Sequence, residues 1–197
     1  MAKLPAVLGT DDLPLAELCA ARLDGDLYAI DEAWAPIDEP DLPSLRAAVI
    51  ALRVSRSLII ERRSAAWVHG ALDAPPRTAQ FCVPHGARVA AITDRRVTIR
   101  EVVLTAGEFV DLGGVRCTTP ARTAFDLLRD TALTDAESER IVTRLLASRP
   151  RLEAQIRERF DRARRMPHRA RALVRLDRAV EALSPGSAGS NQPSLTR

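Results

Sequence analysis

A chain of 197 residues with 46% hydrophobic and 28% charged positions has ordinary globular composition, enough for one large or two small domains. The formal charge is only +3, and Lys3 is the sole lysine, so nearly all the positive charge is arginine. Cys19, Cys82 and Cys117 are widely spaced, with no Cys-x-x-Cys and no histidine cluster, and Asp11, Asp12 and Glu17 interrupt the first twenty residues; a zinc site, secretion and a membrane span are therefore not expected, and a reduced, cytoplasmic protein is.

In chain order, Asp11 to Gly25 reads as a helix with Leu15, Leu18, Cys19, Arg22 and Leu23 on one side. A short strand pair then alternates around the acidic turn Asp31-Glu32. Helix plus hairpin is the tail end of a winged helix, without the further helices and basic surface of a full one. After Pro40 and Pro43, Ser44 to Arg56 fits a helix with Leu45, Ala48, Val49 and Leu52 inward and Arg46, Arg53 and Arg56 outward, the last three being candidate phosphate contacts. Leu58-Ile-Ile60 is a short buried run, strand or helix. It leads into Ser64-Ala-Ala-Trp-Val-His-Gly70, a short helix that Ser64 caps and Gly70 ends after His69, with Trp67 as a core aromatic and His69 as a hydrogen-bonded structural histidine.

From Pro75 to Cys117 the period changes to two. Thr78 to Val83, Val97 to Leu104 and Val115 to Thr118 are strand candidates, the last following a Gly113-Gly114 turn. The intervening Pro84-His-Gly-Ala-Arg88 loop with Arg95-Arg96 has phosphate-gripping chemistry but lacks the pattern of a nucleotide loop. Thr118-Thr-Pro-Ala-Arg-Thr-Ala-Phe-Asp-Leu-Leu128 is a helix with Thr119 as N-cap, Pro120 at the first position, and Arg122 four residues before Asp126; on an exposed face that pair contributes about 0.2–0.5 kcal/mol. Three further helices are expected over 135–148, 151–165 and 167–183. Residues 151–178 hold ten arginines against four acids, and Arg164, Arg165, Arg169 and Arg171 are candidate DNA contacts, with docking on an acidic protein or plain solvation as the alternatives. The Ser/Pro/Gly-rich stretch 184–197 reads as a disordered tail.

The fold class that follows is α+β: a small mixed β-sheet flanked by helices, with a shortened winged-helix-like N-terminal unit and a C-terminal helical extension. The boundaries are 1–40 for that unit, 41–130 for the α/β core, 131–183 for the arginine-rich helices and 184–197 for the tail. No enzyme is expected: His69, His85 and His168 have no nucleophile motif beside them, and no carboxylates are spaced as a metal site. No cofactor is implied.

The two segments Ser64–Gly70 and Thr118–Leu127, in this order and separated by strands, resemble the AbiEi-type antitoxin family of type IV toxin–antitoxin systems in its actinobacterial form, over roughly residues 12 to 130. The motif positions are Ser64, His69, Gly70, Thr119, Pro120, Arg122 and Asp126. The resemblance implies an N-terminal winged helix that binds the promoter of its own operon and an α/β domain that opposes a nucleotidyltransferase-like toxin. Similar proteins continue into a nuclease-like module after a Ser-Pro junction resembling Ala182–Ser187, and a relic of such a fusion is a weaker option. The partners implied are the toxin and promoter DNA, with no membrane. An antitoxin that acts through protein contact alone is the alternative, and the sequence leaves the oligomeric state open.

Overall fold

The computed structural model describes residues 5–54, 58–87, 94–163 and 166–183. It begins with α1 (Leu15–Asp24) and a hairpin of β1 (Leu27–Ile30) and β2 (Ala33–Pro36), paired antiparallel from Leu27 opposite Pro36 to Ile30 opposite Ala33. Gly25 ends α1 in a left-handed conformation (φ 86°), with the Asp26 N–H on Ala21 O at 2.9 Å. The hairpin turns at Asp31-Glu32, as the alternation predicts, and Leu8 is hydrogen-bonded to Trp34 through both backbone groups.

The apolar side of α1 does not point where a core-facing stripe would. Leu18 is buried, but Leu15 and Leu23 are 55% and 88% exposed and Cys19 is exposed. The cause is the size of the unit. A two-stranded hairpin covers only the edge of the apolar arc that Leu18 occupies, and among the described residues no second helix lies over the rest.

The next helix, α2 (Pro43–Ala51), has proline in its first turn and is shorter than the periodicity suggests. The Arg53 and Val54 N–H groups bond three residues back, to Ile50 and Ala51, so the helix has already given way to turns. Leu45 and Val49 are buried as expected, whereas Leu52, expected inward, is 50% exposed. Arg56 lies outside the described residues.

The sheet consists of β3 (Ile59–Ile60), β4 (Ala79–Pro84), β5 (Val97–Val102), β6 (Phe109–Leu112) and β7 (Val115–Thr118), in the order β5-β4-β3-β7-β6. The run left open between strand and helix is its two-residue middle strand. Ile59 and Ile60 pair antiparallel with Cys82 and Phe81 on one side and parallel with Arg116 and Cys117 on the other. β5 runs parallel to β4, and β6 forms a hairpin with β7. Unforeseen β6 is only four residues long and, among the described residues, has no sheet neighbour on its outer edge. β5 stops at Val102, leaving Val103 73% exposed beyond it.

The helices α3 (Arg62–Val68), α4 (Pro120–Leu128), α5 (Asp135–Ala147), α6 (Leu152–Arg162) and α7 (Arg169–Glu181) complete the fold. α4 is the hub. Arg122 through Leu128 are all buried, and the helix packs against α3, α5, α6 and α7. Phe125 of α4 meets Phe160 of α6 with ring centroids 4.8 Å apart, a tilted aromatic pair. α5 opens on a capping box: the Glu137 N–H donates to Thr134 Oγ1 at 3.2 Å, and the Thr134 N–H to Glu137 Oε2 at 3.1 Å. One hydrophobic cluster extends from Val7 through the sheet to Ala179, so the arginine-rich helices share their core with the sheet and do not stand apart as an arm. Among the described residues no helix is long and apolar enough to cross a membrane.

Candidate functional site

The two motif segments meet in space. His69, just past α3, places Nε2 2.7 Å from Thr118 O at the end of β7. Burial pushes the imidazole below its ordinary pKa, against the raising effect of that hydrogen bond. A carbonyl only accepts, so the neutral ring carries its proton on Nε2. Trp67, 2% exposed, is a core aromatic. Gly70 adopts φ 81°, and the Gly70 and Ala71 N–H groups close on Trp67 O (2.9 Å) and Ala66 O (2.8 Å), the pair of bonds that a left-handed glycine makes at a helix end. Ser64 requires a correction. It sits inside α3, behind the N-cap Glu61, and its Oγ accepts the Gln80 N–H of β4 at 2.9 Å, because the helix starts two residues before the residue that looked like its cap. Gln80 answers with Oε1 on the Arg63 N–H at 2.9 Å. Ser64 thus ties helix to sheet.

The second segment starts as its sequence says. Thr119 Oγ1 accepts the Arg122 N–H at 3.3 Å, and Pro120 occupies the first turn. Thr118 and Thr123 hydroxyls bond each other at 2.8 Å inside the core. Arg122 and Asp126 pair at 2.7 Å as their spacing predicts, but both are about 5% exposed, so the pair is internal and not a surface contact. Arg122 also donates to Glu108 Oε2 at 2.8 Å and to Val103 O at 2.9 Å.

From this pair an unbroken line of alternating charge crosses the molecule. Arg159 of α6 pairs with Glu108, Glu108 with Arg122, Arg122 with Asp126, and Asp126 with Arg100 of β5 at 4.0 Å. Arg100 donates twice to Glu61 at 2.6 Å, Glu61 is 3.8 Å from Arg62, and Arg62 reaches Asp130 at 3.2 Å. Burial pushes the Glu61 carboxyl above its ordinary range, while the two Arg100 hydrogen bonds pull it down. Arg62 holds a left-handed φ of 47°, a strained backbone at the head of α3 that its two acidic partners help to fix. Breaking such a buried pair costs about 3–5 kcal/mol, since it leaves an uncompensated charge. Glu61, Arg100, Glu108, Asp130 and Arg159 escape a sequence reading because their partners lie far off in the chain, 39 residues for Arg100 and Glu61.

At the Glu108 end the line borders a polar cleft of about 270 Å³ whose charges are already paired, Arg159 and Arg122 with Glu108 and Arg162 with Glu158. Its carboxylates face guanidinium groups rather than a nucleophile or a base. Among the described residues no three His, Cys, Asp or Glu side chains group as a metal site.

The candidate DNA contacts are placed as follows. Arg46 donates to Asp41 through Nε and Nη2 (2.6 and 2.5 Å) and to Trp67 O through Nη1 at 3.0 Å, and lies over the Trp67 ring at 5.4 Å. Arg53 pairs with Asp31 and donates to Arg77 O at 3.0 Å. Arg169 bonds Asp161 at 3.2 Å and Phe160 O at 3.4 Å, and Arg171 pairs with Asp135 at 2.7 Å. Arg56, Arg164 and Arg165 lie outside the described residues, as does Arg88 of the glycine loop. In that loop His85 faces Glu101 at 3.3 Å, and Arg96 pairs with Glu32 at 2.9 Å.

Two arginines act as helix C-terminal caps. Arg175, 1% exposed, donates to Leu128 O, Asp130 O and Leu133 O at 2.8–3.0 Å and to Asp135 at 2.7 Å, closing the end of α4. Arg149 does the same for α3 and α5 through His69 O (2.9 Å) and Leu145 O (3.0 Å).

A sheet and a hub helix whose signature residues bind one another, with a paired line of charge beneath them, make an α+β scaffold without a catalytic or metal constellation among the described residues. Residues 58–176 match the family model of the AbiEi antitoxin C-terminal domain, more than half of the chain. The chain belongs to the AbiEi antitoxin family. The match begins and ends later than the stretch whose motifs suggest it, taking in α5, α6 and most of α7. Among solved structures the chain is similar to the RV2827C protein from Mycobacterium tuberculosis, with 17% identity over 88% of this chain and 76% of that one and a TM-score of 0.35. No curated protein matches the sequence.

Proposed function

We propose that this antitoxin restrains a nucleotidyltransferase-like toxin by direct protein contact, without reading DNA. The observation that carries this reading is the state of its helical cations: Arg46, Arg53, Arg169 and Arg171, the described arginines among the candidate DNA contacts of the helices, are each held by a carboxylate of the same chain. Releasing such a side chain to a phosphate forfeits a contact already made. The N-terminal unit, where a winged helix would read DNA, carries acids in place of a basic surface.

Co-expression with the toxin encoded in the adjacent reading frame tests the proposal. The expected result is restored growth with no repression of a reporter placed behind the upstream DNA. Repression, together with binding to that DNA whose log K falls by about 0.9 per log salt for each phosphate neutralised, would establish the promoter-binding repressor instead. In that reading the contacts fall on Arg56, Arg164 and Arg165 together with the four paired arginines. Failure to restore growth rejects antitoxin action against that toxin.

A further inference from the structure

Among the described residues nothing covers the outward apolar face of the N-terminal unit. Leu15, Cys19 and Leu23 recur every four residues, within about 80° of the circumference of α1. Ile37, 65% exposed, has its backbone beside the C-terminal end of α1, its N–H on Asp26 O at 2.9 Å. The helix that displays them is fixed, by buried Leu18 beneath and by the Gly25 closure at its end.

The surroundings are acidic. Residues 5–42 contain ten Asp and Glu against Arg22 alone. Asp31, Glu32 and Asp41 are answered by Arg53, Arg96 and Arg46 of the core. Asp11, Glu17, Asp24, Asp26 and Asp38 are exposed and have no ion-pair partner among the described residues. Such a surface repels nucleic-acid phosphates and anionic lipid headgroups, and a two-fold dimer through it would set two acidic faces against each other. What it complements is a protein whose apolar patch is rimmed by lysine or arginine.

We infer that the outward face of α1, with Ile37, docks a basic-rimmed apolar patch on the toxin. The inference rests on the antitoxin reading above and adds to it the docking surface and the chemistry of the partner.

The test is calorimetric titration of the full chain with the purified toxin from the adjacent frame, at low and high salt, beside growth rescue. Leu15→Ser/Leu23→Ser is expected to weaken binding about tenfold or more, as removal of a central apolar anchor does. Asp24→Lys/Asp26→Lys is expected to weaken it clearly at low salt and less at high salt, where charges are screened. Both variants should unfold within about 4 °C of the wild type. Wild-type affinity in both variants overturns docking at this face and leaves the antitoxin reading intact. Growth rescue by the wild type without measurable binding also overturns it, leaving an antitoxin that acts indirectly. If the wild type neither binds nor rescues, both readings fail. A loss of stability in Leu15→Ser/Leu23→Ser means that the chain covers the stripe itself and overturns the inference, as does a wild-type dimer which that variant abolishes.

Discussion

The two ends of the chain handle charge in opposite ways. Residues 151–178 hold ten arginines against four acids, yet seven of the eight described arginines there bind a carboxylate, and Arg175 is wholly internal. Residues 5–42 hold ten acids, and only three of them meet an arginine among the described residues. The basic end pairs its charge within the chain, most of it at the surface and Arg175 in the core, while the acidic end, among the described residues, leaves most of its charge unpaired toward solvent. A local excess of one sign therefore says which side chains are at hand; where their partners lie decides which sign an approaching molecule meets.

The largest expected effect that would break this contrast is at Arg175. Arg175→Met leaves three backbone carbonyls without a donor and should cost about 3–5 kcal/mol in urea unfolding. Arg157→Ala, on a half-exposed pair with Glu153 and Asp177, should cost no more than about 1 kcal/mol. Similar losses for the two would mean that Arg175 is not the internal cap described. Within the acidic end, Leu18→Ala should cost about 2–5 kcal/mol, whereas Leu15→Ser/Leu23→Ser should stay within about 0.5 kcal/mol per site. Equal losses would dissolve the distinction between the buried and the outward side of α1. Gly70→Ala, forced into a left-handed φ of 81°, should cost about 1–2 kcal/mol by the same measurement.

The smallest effect is a pH dependence. Because His69 is held below its ordinary pKa of 6.5, the unfolded chain takes up a proton there before the folded one does. The stability attached to His69 is thus complete above pH 6.5 and is lost as the pH falls from 6.5 through the folded-state value. His69→Gln, which still offers an N–H to Thr118 O, should flatten this part of the stability–pH curve. An unchanged curve would place the titration elsewhere.

Much of the fold was legible because its signals are local. Thr119 and Pro120 open α4, and Gly25 and Gly70 end α1 and α3, each within a few residues of the element it governs. The spacing of Arg122 and Asp126 announced their pairing, whereas their burial did not follow from spacing, since it depends on α6 and the Glu108 loop arriving from elsewhere in the chain. The same limit hid Glu61 and Arg100. The stripe on α1 was visible as periodicity, but periodicity cannot tell an inward face from an outward one when the remainder of the unit is too small to cover it.

The placing of the two tryptophans has an optical consequence. Trp34 lies half-buried in the N-terminal hairpin, bonded to Leu8, and Trp67 is buried in α3 beneath the Arg46 guanidinium. With no third indole in the chain, Trp34→Phe leaves an emission that reports the core alone, and Trp67→Phe one that reports the acidic unit alone. A single fluorimeter can then separate engagement of a partner at one end from melting of the whole.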